Sequence, residues 1–85
     1  MVKTVVFFKA AVVALRKHQN VAPRIRDKIA AYAKDPTSLA NQVTELRGSS
    51  FKRLRVGDFR VLFEETETEI VVVRIGPRGS VYNEK

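Results

Sequence analysis

The feature that most constrains the fold is a change of hydrophobic period in the middle of the chain. After a short apolar opening, residues 9–34 repeat apolar side chains at helical spacing, whereas residues 51–75 alternate them with polar ones. Helices followed by strands joined by hairpins predict an α+β fold with a largely antiparallel sheet. The predicted order is β-α-α-β-β-β plus a short tail strand. A chain of 85 residues has room for one core, so residues 1–85 are predicted to form a single domain.

The first half of the chain predicts one strand and two helices. They are the strand Val2–Phe8 and the helices Lys9–Lys17 and Val21–Lys34. Asn20 is the predicted N-cap of the second helix, and Pro23 suits its first turn, where a missing N–H costs nothing. Pro36 ends this helix because the residue before a proline disfavours helical backbone. Thr37–Ser50 is then predicted to be a connector.

The second half predicts three strands separated by turns. They are Phe51–Val56, Phe59–Glu64 and Glu69–Ile75. Gly57-Asp58 is predicted to form the first turn and Glu65–Thr68 the second, and Gly76-Pro77 ends the last strand before the extended tail. Because successive side chains of a strand point to opposite faces, these strands sort apolar and cationic residues onto different faces.

This alternation gathers arginines on the face of the sheet that the helices leave open. If the helices cover the apolar residues of Phe59–Glu64, the opposite face meets solvent, as antiparallel sheets allow. The arginines expected there are Arg53, Arg55, Arg60 and Arg74. Strict alternation groups Arg74 with Ile70 and Val72. It points Lys52 toward the helices, although Lys52 remains a candidate for an additional phosphate contact.

The charge balance indicates a polyanionic partner or an acidic protein, with nucleic acid favoured. Sixteen Lys and Arg residues against nine Asp and Glu residues give a net charge of +7. The charges are also segregated, since four glutamates gather between residues 64 and 69. Guanidinium groups bind phosphate through paired hydrogen bonds and can stabilise a pentavalent phosphorane. The alternative is a simple solvated face, although such faces usually mix both signs.

Few side chains are candidates for proton transfer. Arginine stays protonated and is no ordinary base. His18 is expected to be exposed or to cap a helix. Tyr82 is the remaining candidate, because surrounding positive charge favours its phenolate and lowers its pKa. Spacing alone agrees equally well with a Tyr82 ring that packs at the sheet edge.

Composition argues against several classes of protein. The chain has no cysteine, so it has neither a disulfide nor a thiolate zinc site, and one histidine makes no histidine metal cluster. No metal and no other cofactor are therefore predicted. Because no apolar stretch is long enough to cross a bilayer, we predict no membrane contact and a cytoplasmic location.

Two segments of the sequence resemble the RelE branch of the RelE/ParE toxin superfamily. They are Phe51–Phe63, read FKRLRVGDFRVLF, and Val72–Tyr82, read VVRIGPRGSVY. The resemblance extends more weakly through the first strand, the helices and Asn41–Gly48, so it covers nearly the whole chain. Each motif is short, but their order and spacing together are specific.

The resemblance implies a toxin of a type II toxin-antitoxin pair with a fold similar to that of microbial RNases. Such a toxin is a metal-independent endoribonuclease, an mRNA interferase that cuts mRNA in the ribosomal A site and inhibits translation. The implied reaction is attack of the substrate 2′-OH on its own phosphate. The implied partners are a cognate antitoxin protein and mRNA on the ribosome.

Site residues carry over from the family by position. Arg53 and Arg55 match basic residues of the first hairpin strand, Arg60 matches the arginine that begins the next strand, and Arg78 and Tyr82 match the arginine and near-terminal tyrosine. By role, Arg60 and Arg78 would hold phosphate and transition-state charge. Arg53 or Arg55 would assist proton movement electrostatically, and Tyr82 would act as a base or stack on a nucleobase. Some members have lysines where this chain has arginines, so a titrating lysine base does not carry over.

Two alternative functions stay open. A ParE-type toxin has a similar fold but poisons DNA gyrase, and it has no need of the pair Arg78 and Tyr82, which favours the RelE interpretation. The other alternative is a basic binding module without activity, such as a degenerate toxin that still pairs with its antitoxin.

Overall fold

The computed structural model describes residues 2–46, 48 and 50–77. It contains two α-helices, one 3₁₀ helix and five strands within those residues. In chain order the elements are β1 (Thr4–Phe7), α1 (Lys9–Lys17), α2 (Ala22–Lys34), the 3₁₀ helix (Pro36–Gln42), β2 (Val43–Glu45), β3 (Phe51–Val56), β4 (Phe59–Glu65) and β5 (Glu69–Pro77). The predicted α+β architecture is confirmed.

The five strands form one sheet in the order β1-β5-β4-β3-β2. The first strand runs parallel to β5, and the other neighbouring pairs are antiparallel. The parallel pair follows from connectivity, because α1 and α2 lie between β1 and the hairpins and carry the chain across one face of the sheet. The opposite face of β3, β4 and β5 is called the open face below.

The core lies between the two helices and the sheet. Its centre is Phe63, which is fully buried and meets the ring of Tyr32 edge to face with a centroid distance of 5.3 Å. Buried side chains recur in α2 every three or four residues, and in β3 and β4 every second residue. They include Ala11, Leu15, Ala22, Ile25, Ile29, Leu54, Val56, Val61, Ile70, Val72 and Ile75.

The start of α2 differs from the prediction. Asn20 does not cap the helix: the N-cap residue is Val21, and no side chain caps it. The preceding turn instead uses backbone bonds, in which the amides of Val21 and Ala22 both donate to the carbonyl oxygen of His18, each at 3.1 Å. Pro23 does lie in the first turn, as predicted.

The predicted connector Thr37–Ser50 contains regular structure that its sequence does not signal. It includes most of the 3₁₀ helix and the edge strand Val43–Glu45, which pairs with β3 through Val43–Leu54 and Glu45–Lys52. Three residues are too few to show a period, so the hydrogen bonds offered by the neighbouring strand determine this element.

The last strand departs from strict alternation. The register between β4 and β5 shifts at Leu62/Phe63, because Leu62 pairs with Arg74 whereas Phe63 pairs with Val72. Val73 is therefore an extra residue, a β-bulge that resets the alternation. Arg74 is exposed while Ile70 and Val72 are fully buried, so the predicted grouping of these three on one face is wrong. The prediction that Arg74 lies on the open face is correct, because of the bulge.

Candidate nucleic-acid interface

The open face carries arginines in two adjacent rows that cross three strands. In one row Arg53 of β3 and Arg74 of β5 flank Leu62 of β4. In the next row Arg55 of β3 pairs with Arg60 of β4, which pairs in turn with Gly76 of β5. Side chains directly opposite each other on neighbouring strands have Cβ atoms about 5 Å apart. The four arginines predicted on this face are therefore brought together.

The pair Arg55–Arg60 places two positive charges directly opposite each other. Like charges in such cross-strand positions are destabilising by roughly 0.2–1 kcal/mol. Arg55 is exposed and Arg60 is half-buried, so water screens this repulsion only in part. An arrangement that costs folding free energy is consistent with a face that binds an anion.

Arg60 is held at the β3–β4 turn. Its Nη1 donates to the carbonyl oxygens of Gly57 at 3.2 Å and Phe59 at 3.1 Å. Gly57 supplies the turn with a left-handed backbone, φ +58°. These bonds anchor one end of the guanidinium at the tip of the hairpin.

The end of β5 lies next to this arginine. Gly76 pairs with Arg60, and Pro77 pairs with Phe59. The predicted site residues Arg78 and Tyr82 lie outside the described residues. Gly76 is buried and bears no side chain, so Arg55 and Arg60 have no side chain beside them in their own row on β5.

Lys52 lies on the helix side of the sheet and is not brought together with the arginines. Its Nζ lies 2.6 Å from Glu65 Oε1 and 3.4 Å from the hydroxyl oxygen of Tyr32. Lys3 Nζ donates to the other carboxylate oxygen, Glu65 Oε2, at 2.7 Å, and the Tyr32 hydroxyl donates to Glu65 Oε1 at 2.6 Å. These four residues, Lys3, Tyr32, Lys52 and Glu65, are called the Glu65 cluster below.

The Glu65 cluster shifts the pKa values of its members. Burial of Glu65 opposes its ionisation, but the hydrogen bonds from Lys3, Lys52 and Tyr32 outweigh this effect and lower its pKa to about 2. The hydrogen bond to Glu65 raises the pKa of Lys52. Burial, followed by the bond to Glu65, raises the pKa of Tyr32. Two ammonium groups share one carboxylate, so the cluster keeps an excess of one positive charge, and it ties Lys3 just before β1, Lys52 of β3 and Tyr32 of α2 to the end of β4.

His18 ends helix α1 and packs against the sheet. Its backbone amide donates to the carbonyl oxygen of Ala14 at 3.0 Å, which makes it the C-cap residue of α1. Its ring meets the ring of Phe59 edge to face, with a centroid distance of 4.8 Å. The prediction that His18 caps a helix is confirmed. This contact holds the turn between the helices against the first residue of β4.

The glutamates lie at the other end of the hairpins. Glu64 and Glu65 end β4, Glu69 begins β5, and Glu67 lies in the turn between them. Glu64 accepts a hydrogen bond from Ser50 Oγ at 2.7 Å. Residues 2–46, 48 and 50–77 contain no group of three or more Asp, Glu and His side chains placed to hold a metal ion.

The model of the ParE toxin of type II toxin-antitoxin systems, parDE, matches residues 7–82. The chain belongs to this toxin family. The resemblance to the RelE/ParE superfamily is therefore confirmed, and the match includes every arginine of the open face. No curated protein matches the toxin significantly.

Solved structures resemble the toxin over nearly its whole length. A chain of the archaeal RelE-RelB complex from Pyrococcus horikoshii OT3 has a TM-score of 0.77 and 24% identity, over 94% of the toxin and 99% of that chain. A chain of the RelBE2 toxin-antitoxin complex from Mycobacterium tuberculosis has a TM-score of 0.72 and 21% identity, over 92% of the toxin and 100% of that chain. A chain of the E. coli DinJ-YafQ complex has a TM-score of 0.76 and 9% identity, over 98% of the toxin and 100% of that chain. At such low identity these matches show that the fold is shared.

The helices in the described part of the toxin are not membrane-spanning helices. None of the helices in residues 2–46, 48 and 50–77 has the length and apolar character required to cross a bilayer.

Proposed function

We propose that this toxin is a ribosome-dependent endoribonuclease that cleaves mRNA in the A site and thereby inhibits translation. The observation that carries the proposal is the open face, where Arg53, Arg55, Arg60 and Arg74 occupy adjacent positions on three strands. A cationic sheet face of this kind suits a single strand of RNA, because each guanidinium can pair with a phosphate. The sequence resemblance to the RelE branch, which includes Arg78 and Tyr82, supports RNA over other polyanions.

The proposed reaction is an internal transesterification that requires no metal. The 2′-OH of the substrate loses its proton and attacks the adjacent phosphorus, and the bond from phosphorus to the 5′ oxygen of the next nucleotide breaks. The products are a 2′,3′-cyclic phosphate and a 5′-hydroxyl that has gained a proton. Negative charge builds up on the phosphorane oxygens, where arginines stabilise it electrostatically.

Each proposed site residue has a role. Arg60 and Arg78 hold the phosphate and the charge of the transition state, and Arg53 or Arg55 assists proton movement through its field. Arg74 contacts the RNA backbone beside them. Tyr82 acts as the base or stacks on a nucleobase. Lys52 is left out of this set, because Glu65 compensates its charge on the other face of the sheet.

Ribosome dependence is proposed because arginines bind phosphate without supplying a base of suitable pKa. Holding the 2′-OH in line with the bond that breaks then provides most of the acceleration, and effective molarities from such positioning are very large. We propose that the ribosome supplies this orientation. A target on the ribosome also implies action in the cytoplasm.

A cognate antitoxin is the proposed protein partner. The structures similar to this chain come from toxin-antitoxin complexes. We propose that the antitoxin wraps the toxin as an extended or helical segment and covers the cationic open face. Occlusion of that face would prevent contact with RNA.

Induction in cells followed by mapping of mRNA 5′ ends tests the proposal. We expect new ends within open reading frames at a fixed position relative to the codon. Arg78→Ala or Tyr82→Phe should abolish growth arrest and leave thermal unfolding and antitoxin binding unchanged. Full toxicity of the Arg78→Ala, Tyr82→Phe double variant would refute the nuclease assignment.

The alternative is inhibition of DNA gyrase, which the ParE description of the matching family favours. Its signature would be trapped gyrase–DNA complexes in induced cells without in-frame mRNA ends. Arg78 and Tyr82 substitutions would then leave growth arrest intact. A chain that gives neither signature but still binds its antitoxin would be a non-catalytic binding module.

A further inference from the structure

A cation from the helix layer also reaches the β3–β4 turn. Arg24 is exposed and lies in the first turn of α2. A β-carbon placed on Gly57 would lie 3.4 Å from Arg24 Nη1, so this guanidinium packs against the backbone of the turn. The sequence places Arg24 only on the polar side of a helix, and tertiary packing brings it to the hairpin.

The same glycine is contacted from the open face. Arg60 Nη1 donates to the carbonyl oxygen of Gly57 at 3.2 Å. Two guanidinium groups, one from each side of the sheet, therefore approach one residue. Within the described ranges neither of them forms an ion pair with a carboxylate, although Asp58 follows Gly57 in the turn.

Core packing fixes the position of the first turn of α2 beside the β3–β4 turn. Ala22 and Ile25, on either side of Arg24, are 3% and 0% exposed. The His18 ring against Phe59 holds the turn before α2 on the start of β4. The backbone of Arg24 is therefore held beside the cationic hairpin, so its guanidinium stays within reach of the β3–β4 turn, and an anion bound there would offset the repulsion among these cations.

The cations form a continuous path. The path starts at the row of Arg53 and Arg74, passes the pair Arg55–Arg60 and continues over Gly57 to Arg24. A succession of separate single charges along a path matches a polymer with one negative charge per unit. A compact anion would need only one of these positions.

We propose that Arg24 binds a phosphate of the RNA strand, next to the phosphate held by Arg60, so that the strand crosses the β3–β4 turn. This inference rests on the proposed nuclease function and extends its binding site to the helix layer. Arg24 is a binding residue for the flanking backbone, whereas Arg60 on the open face holds the reacting phosphate.

Binding of a fluorescein-labelled oligoribonucleotide with 2′-O-methyl sugars, which 2′-OH attack cannot cleave, tests the role of Arg24. The full-length chain, Arg24→Gln and Arg26→Gln are titrated at several salt concentrations. Arg26 is the matched control, because it is exposed on the same helix and its loss changes the net charge equally. We expect Arg24→Gln to weaken binding roughly 5- to 10-fold and to reduce the slope of log affinity against log salt by about 0.7, as for one lost phosphate contact. Arg26→Gln should change the affinity less than about twofold.

One outcome would support the inference, and four would overturn it. Recovery of affinity in Arg24→Lys would support a phosphate contact. Equal losses in the Arg24 and Arg26 variants would mean that only net charge matters, which overturns the inference. If Arg60→Ala weakens binding and Arg24→Gln does not, Arg24 has no role in binding RNA and the proposed function stands. If the wild type does not bind the RNA, or Arg24→Gln weakens only antitoxin binding, the inference fails, and the mapping of mRNA 5′ ends decides the proposed function separately.

Discussion

The two ends of the sheet carry similar cations in opposite circumstances. At the end formed by the β4–β5 turn, Lys3 and Lys52 share the carboxylate of Glu65. At the β3–β4 turn, Arg24 and Arg60 approach Gly57 and Arg55 lies opposite Arg60, and no acidic side chain is hydrogen-bonded among them in the described part of the chain. Compensated charges stabilise a fold, whereas gathered like charges oppose it. The first end therefore contributes to stability, whereas the second is where we propose that the phosphates of RNA bind.

The largest expected effect is a loss of mRNA cleavage when the arginine pair at the β3–β4 turn is removed. Arg55→Ala combined with Arg60→Ala should lower ribosome-dependent mRNA cleavage at least about 100-fold, because transition-state charge loses its partners. Folding should be little affected, because the repulsion that is removed offsets the loss of the two hydrogen bonds from Arg60 to the turn. Cleavage is measured with programmed ribosomes and stability by urea unfolding. The double variant Arg26→Ala, Lys34→Ala removes the same charge elsewhere, and an equal loss of cleavage in it would contradict a specific role for the pair.

Acidification should lower the free energy of unfolding through Glu65, at the β4–β5 end of the sheet. The pKa of Glu65 is lowered from its ordinary value of 4.5 to about 2, so its ionised form stabilises the folded state above pH 4.5. This contribution, at most about 3 kcal/mol, is lost as the pH falls from about 4.5 to about 2. Urea unfolding of the wild type and Glu65→Gln across this range measures it. The variant should be less stable at pH 7 by about 2 kcal/mol, and the two curves should converge toward pH 2. Parallel curves would show that the cluster contributes nothing to the acid response.

Substitution of the turn glycine Gly57 should have a smaller effect on stability. Gly57→Ala should lower the free energy of unfolding by about 1–2 kcal/mol, because an alanine at φ +58° is strained. The new methyl group would also meet Arg24 Nη1 at 3.4 Å. Gly48→Ala is the control, since Gly48 has φ +74° with open space around its missing β-carbon. Thermal unfolding of both variants separates backbone strain from displacement of Arg24, and an equal loss in both would show that the Arg24 contact has no energetic weight.

The smallest expected effect is a gain in stability from relieving repulsion. Arg55→Gln should raise the free energy of unfolding by a few tenths of a kcal/mol at low salt, because Arg60 then faces a neutral side chain. At 1 M salt, where charges are screened beyond about 3 Å, the gain should vanish. Arg26→Gln, which removes a charge with no cation opposite, should show no such gain. A salt-independent change would indicate that packing rather than charge decides the effect.

Elements with a clear hydrophobic period follow from local sequence alone. Helix Lys9–Lys17 and strand Phe51–Val56 have their predicted bounds, because apolar spacing and glycine or proline punctuation act over a few neighbouring residues. The arginines of β3 and β4 fall on the open face for the same reason. The family resemblance adds Arg78 and Tyr82, whose roles remain predictions.

The other features depend on contacts between residues that are distant in the chain. The short strand β2 exists because β3 offers it hydrogen bonds, and the bulge at Val73 turns Arg74 outward although local alternation points it inward. The partners of Lys52 and the approach of Arg24 to Gly57 join residues distant in the chain. Contacts of this kind depend on how separate elements pack, and a local pattern of hydrophobic and charged residues does not encode that packing.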